Sequence, residues 1–191
     1  MKRRIYQFVR ALFGRLDAEG HRFVQSYLSP VEQRLFYDMH GADQYHAVRV
    51  ALTAKDLYKK HGYRDSDAYI LLIRCALLHD IGRVKGTADI WGKVLAVLAY
   101  RFVPSVIPYF IRWKDTRGIC GRVGMAFYVY AAHPYIGADK LRAIGDVQEA
   151  EIIQYHQKET APEDSLVLSI LKQADELPRS EERRVGKECR S

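Results

Sequence analysis

DSDAYILLIRCALLHDIG, residues 65–82, decides the fold. The stretch opens on an acidic and hydroxyl cluster suited to capping backbone N–H groups, and it closes on a glycine suited to stopping a helix. Between these ends, Tyr69–Leu78 is apolar at every position but Arg74, the pattern of a helix covered on nearly all sides. His79 and Asp80 stand at the end of that run. An ionised carboxylate taken out of water there needs a cation or hydrogen bonds beside it.

Working outward, the neighbouring segments also read as helices. SPVE (Ser29–Glu32) combines a capping box with proline at the first helical position, starting the helix PVEQRLFYDM. Ala42–Gly62 is amphipathic, with Val48, Ala51, Leu52 and Tyr58 near one face and Gly62 as its stop. The basic start MKRRIYQFVRALFGRL alternates apolar and polar residues at helical spacing and lacks the apolar core of a secretory signal. After Trp113, a polar loop KDTRGICGR leads to VGMAFYVYAA, and His133–Pro134 is expected to open a separate helix, HPYIGADKLRAIG. VQEAEIIQYH and SLVLSILKQADEL follow. Without hairpin dipeptides or repeats, the expected fold is all-α: one compact helical domain over 1–178, with N-terminal helices in 1–40 and an insertion over 88–131.

Composition narrows the class. A chain of 191 residues, 48% apolar and 28% charged, is neither disordered nor fibrous. Cys75, Cys120 and Cys189 show no CxxC pairing, which suits a reducing, cytoplasmic setting. The last thirteen residues, RSEERRVGKECRS (179–191), have no helical apolar stripe and resemble the in-frame translation of a sequencing-library adapter. They are expected to be an artefactual or disordered tail outside the fold, and the natural chain then differs after Pro178. Their surplus of two positive charges, taken from the formal +7, leaves +5. No clustered Lys/Arg stripe accompanies that charge, so no nucleic-acid partner is expected.

The apolar run 94–111, VLAVLAYRFVPSVIPYFI, lies between Trp91 and Trp113, as an interfacial element would. Arg101 falls inside it, and Pro104 and Pro108 interrupt it. A helical hairpin packed over the core is therefore the favoured reading, and membrane contact through 91–113 the less favoured one. Trp91–Arg122 is expected to act as a lid, with Gly118, Gly121 and Gly124 as hinge points and Lys114, Arg117 and Arg122 able to reach a phosphate or an anionic lipid.

The histidines are unevenly placed. His46 lies inside a helix three residues before Arg49, His79 adjoins Asp80, His133 precedes Pro134, and His156 falls near the end of EIIQYH. Asp175 interrupts a mostly apolar helix. His21, His40 and His61 sit in polar or turn contexts and read as ordinary surface residues. Any one of these histidines alone reads as hydrogen-bonded structure. Four histidines and two aspartates at element ends or on apolar helices must be satisfied together, and bound divalent ions do that.

The order His46, His79–Asp80, Asp175 resembles the pattern of the HD-domain metal-dependent phosphohydrolases, whose common core tetrapeptide is HDIG. The resemblance runs from about Asp43 to Leu177, and His133 and His156 look like the second-metal ligands of its dinuclear branch. That branch includes symmetrical dinucleoside-tetraphosphate hydrolases and cyclic-dinucleotide phosphodiesterases. The resemblance implies an HD-type bundle holding two divalent ions, one on His46, His79, Asp80 and Asp175, the other on Asp80, His133 and His156. Asp80 would bridge them, a hydroxide between the ions would be the nucleophile, and His79 and Asp80 would be the catalytic pair. Mixed imidazole and carboxylate donors suit Fe or Mn first, with Co, Ni, Zn or Mg as other occupants. The implied substrate is a small phosphorylated molecule, a nucleotide foremost, cleaved at a phosphoester or phosphoanhydride bond. Arg83, where the family often has lysine, joins Arg49 and Lys158 as candidates for binding phosphate oxygens. Two other readings stay open: a sensor module that binds a phosphorylated ligand, and a di-iron oxygenase of the same superfamily.

Overall fold

Side-chain caps start most of the helices. The computed structural model describes residues 15–83, 96, 99, 102–158 and 165–177, and among them the regular structure is helical throughout, without a strand. Helix α1 (Ala18–Tyr27) begins at Asp17, whose Oδ1 accepts from the Gly20 amide at 2.8 Å. Helix α2 (Pro30–Tyr37) carries the expected capping box: Ser29 N donates to Glu32 Oε2 at 2.7 Å, and Glu32 N donates to Ser29 Oγ at 3.4 Å. Helix α3 (Gly41–Lys60) is capped by the His40 side chain, a role beyond ordinary surface exposure. Gly62 follows α3 at φ +73°, a backbone setting that favours glycine. Helix α4 (Ser66–Leu78) starts at Asp65, whose Oδ1 accepts from Asp67 N and Ala68 N. It stops at Leu78 rather than Gly82, and HDIG forms two tight turns, Ile81 N to Leu78 O and Arg83 N to Asp80 O.

The continuous apolar run of α4 is explained by its surroundings. Helix α3 packs along it, helix α8 (Leu166–Glu176) lies against both, and helix α7 (Val147–Ile153) covers a further side. Phe36, Leu72, Ile73, Leu77, Leu78, Leu141, Ile153 and Leu171 meet in this core and are wholly or almost wholly excluded from solvent. Each such side chain contributes about 1.5–3 kcal/mol by leaving water. Arg74, the one charge in the run, bridges three carboxylates: Glu32 at 2.9 Å, Glu149 at 2.6 Å and Asp146 at 3.4 Å. Glu32 and Glu149 are buried, so this cation ties α2 and α7 to α4.

Helix α6 (Gly118–Ile144) corrects an expectation. His133–Pro134 does not open a new helix; α6 runs through it without a break for 27 residues. A proline has no amide hydrogen, so Pro134 leaves the Tyr130 carbonyl without its helical donor. The His133 ring supplies one instead, with Nδ1–H donating to Tyr130 O at 2.7 Å. The proline is tolerated because the histidine beside it repairs the ladder.

Ahead of α6, a 3₁₀ turn (Pro104–Val106) and helix α5 (Ile107–Ile111) fold back on its N-terminal half. Ile107 and Phe127 form a second, smaller cluster with Ala96 and Ala99, and Phe110 stacks on Phe127 at 4.8 Å between centroids. The described part of the 88–131 insertion therefore continues directly into the helix that carries His133. The expected helix in residues 1–14, the rest of 88–101 and the tail 179–191 lie outside the described residues.

Candidate metal centre

Five elements bring the six expected ligands together. His46 comes from the middle of α3, His79 and Asp80 from the turn after α4, His133 from α6, His156 from the turn after α7, and Asp175 from α8. The ring centroids form a chain, His46–His79 at 5.4 Å, His79–His156 at 5.1 Å and His156–His133 at 5.3 Å. His46 and Asp175, 129 positions apart, are bonded at 2.9 Å, Nε2 to Oδ1. Two trios have donor atoms close enough to share an ion: His46, His79 and Asp175, and His79, Asp80 and His156.

Three of the histidines are aimed in one way. His79 Nδ1 reaches the Ala76 carbonyl at 2.9 Å, His133 Nδ1 the Tyr130 carbonyl at 2.7 Å, and His156 Nδ1 the Ile153 carbonyl at 2.6 Å. A carbonyl only accepts, so each Nδ1 carries the hydrogen and each Nε2 is left with a lone pair. Each acceptor lies three residues back, in the last turn of α4, at the last residue of α7, or at the gap Pro134 makes in α6. This is how a histidine is fixed as an Nε2 metal ligand.

The inward atoms lack partners. His79 Nε2, His156 Nε2 and both Asp80 oxygens are buried without a hydrogen bond of good geometry. Asp80 does have ionic neighbours, Arg83 Nη1 at 3.0 Å from Oδ2 and His133 Nε2 at 3.1 Å from Oδ1. His133 Nε2 also accepts from Arg83 Nη2 at 3.1 Å, so with Nδ1 as its donor it turns a lone pair toward a carboxylate oxygen. Lone pairs facing one another in a buried site are what a cation between them relieves. The residues present fit divalent ions.

Electrostatics follow the same pattern. Burial pushes His156 down to about 3, and it lowers His133 with help from the Arg83 charge, which keeps both rings neutral. Burial would raise Asp80, but Arg83, His79 and His133 outweigh it and hold the carboxylate well below its usual range. Burial works against ionisation at Asp175 too, and the hydrogen bond from His46 overrides it. His46 is raised, since Asp175 outweighs the opposing effect of burial. His46 and Asp175 keep 27% and 23% of their side-chain surface, against 1% or less for His79, Asp80 and His133, so solvent reaches the cluster from the α3–α8 side. Compared with models of known protein families, with curated proteins and with solved structures, the chain matches none.

The three expected phosphate contacts are placed differently from one another. Arg83 is in the cluster, between Asp80 and His133, with its guanidinium 5.6 Å from the Tyr130 ring centre. Arg49 lies half-buried on α3, about one turn beyond His46. Lys158 is exposed two positions after His156, its ammonium over the rings of Tyr135 and Tyr155 at 5.1 and 5.2 Å. Two contributors escaped the sequence reading. Tyr130 orients His133 through its carbonyl and packs beside Arg83, and its signal was Pro134 four positions later. Gly82 presses against the backbone of His133, where a Cβ would collide with the carbonyl, so the HDIG glycine sets the approach of Asp80 to α6.

Proposed function

We propose that the protein is a metal-dependent phosphohydrolase acting on a phosphoester or phosphoanhydride bond of a small substrate, a nucleotide foremost. The observation that carries this reading is the convergence of three anchored histidines on Asp80, with His79 Nε2, His156 Nε2 and both Asp80 oxygens buried without a hydrogen bond, next to the His46–Asp175 pair. His46, His79, Asp80 and Asp175 would hold one divalent ion, and Asp80, His133 and His156 a second. Such ions supply Lewis acidity toward phosphate oxygens and lower the pKa of water. The chain's own contribution is to hold its ligands neutral or ionised as required, and to exclude water from the His79–Asp80–His133 side. The more open His46–Asp175 side would admit the substrate. Arg83, half-buried and charged, would meet non-bridging phosphate oxygens once its hold on Asp80 and His133 is relaxed.

The test is a phosphoester panel with protein purified anaerobically and assayed with Mn²⁺ or Fe²⁺. Turnover that disappears in Asp80→Asn, with the helical signal intact, supports the reading. Binding of a phosphorylated ligand without turnover would replace it with a sensor, and dioxygen consumption with reduced iron would replace it with an oxygenase.

A further inference from the structure

The hairpin of α5 and the start of α6 has two unlike faces. Its inner face is the small cluster around Ile107 and Phe127. Outside that cluster the segment exposes Phe102 (72%), Val103 (49%), Tyr109 (68%), Trp113 (41%) and Ile119 (71%), a concentration of large apolar side chains within eighteen positions. The backbone beneath them is closely set. A Cβ on Gly124 would strike the main chain of Phe110–Lys114, and one on Gly121 the carbonyl of Thr116. The hairpin therefore presents these side chains from a fixed frame.

We propose that this hairpin, residues 102–122, docks the protein on an anionic lipid surface. The same segment carries Arg112, Arg117 and Arg122, all exposed, and the half-buried Lys114, which pairs at 2.8 Å with Asp115, the one acidic residue of the segment. Apolar and aromatic side chains interleaved with cations suit the headgroup boundary, where the rings enter and the charges meet lipid phosphates. Each basic residue near such a surface strengthens binding by about fivefold. Charge also selects the occupant. A second copy docked face to face would set three exposed arginines against three, and residues 1–14 carry four basic residues and no acidic one, so they share the sign of the patch. An anionic bilayer complements both features.

Pro104 and Pro108 argue against a span, and among the described residues no helix is long and apolar enough to cross a membrane. Neither proline opposes surface contact. One lies in the 3₁₀ turn and the other in the first turn of α5, where a missing amide hydrogen costs little. Ile119 is fourteen positions before His133 on the same helix, about 20 Å at 1.5 Å per residue, so the contact would leave the metal ligands clear of the headgroups. The inference stands apart from the metal centre.

Sedimentation of the full chain with phosphatidylcholine vesicles, with and without phosphatidylglycerol, tests it. Binding is expected with the anionic vesicles and is expected to weaken as salt rises. A double variant, Tyr109→Ser with Ile119→Ser, and a triple charge variant, Arg112→Glu with Arg117→Glu and Arg122→Glu, should each lower the partition at least tenfold, while circular-dichroism melting stays unchanged. No binding at low salt would overturn the proposal, as would binding that both variants leave intact. Concentration-dependent dimerisation removed by the Ser variant, without vesicle binding, would assign the face to a second copy instead.

Discussion

Replacing Pro134 by alanine should separate stability from metal affinity. Pro134 costs the interior of α6 about 3 kcal/mol in propensity and a backbone bond relative to alanine. Against that gain stand the lost burial of its ring, about 1–2 kcal/mol, and a freer unfolded chain, about 0.4–1 kcal/mol. Pro134→Ala should therefore be neutral to mildly stabilising, raising the melting temperature of metal-free protein by up to about 4 °C. The new amide would also compete for the Tyr130 carbonyl that now fixes His133 Nδ1 at 2.7 Å. Loss of such an orienting bond weakens metal affinity by about 10–100-fold. Calorimetric titration with Mn²⁺ beside thermal melting reads both quantities. Unchanged affinity in a stable variant would refute the claim that the proline break orients His133.

The other predictions concern charge. Arg74→Ala should leave Glu32 and Glu149 buried without their cation and cost about 3–5 kcal/mol in urea denaturation, and a loss under 1 kcal/mol would show the network to be dispensable. Arg83→Met should destabilise metal-free protein by exposing Asp80 to burial without its guanidinium, yet tighten Mn²⁺ binding by removing a competing cation, and weaker binding would contradict this. Metal-free protein should lose stability as pH falls below the unfolded histidine value. His156 and His133 are lowered in the fold, so the unfolded chain takes up protons that the native state refuses; His46 is raised and acts only above that value. His156, neutral in the fold down to about 3, alone gives a slope near 1.4 kcal/mol per pH unit, which His156→Gln should flatten; stability rising toward acid would show the sign to be wrong.

Most helix starts were legible because caps are local: Asp65, and Ser29 with Glu32, act within a few residues, as Gly62 does at the end of α3. Helix ends at the site were less so, since HDIG leaves the helix at Leu78 to bring Asp80 toward α6, a contact with residues some fifty positions away. The six candidate ligands were visible as residue types in unlikely surroundings. Local rules also misled at Gly82, at the loop expected over 114–122, where α6 begins at Gly118, and at proline as a helix start. Pro134 is accommodated by a side-chain hydrogen bond whose donor is its own neighbour, and no propensity encodes that. Arg83 in the cluster was likewise beyond reach, because an arginine beside a buried aspartate can point to solvent or inward, and only packing decides.

Six side chains are proposed to form a divalent-metal centre. Equilibrium titration of metal-free protein with Mn²⁺, read by calorimetry, addresses it directly. Saturable binding of at least one ion per chain is expected, abolished in His79→Ala with Asp80→Ala. Titration curves that are indistinguishable between the wild type and that double variant would contradict it.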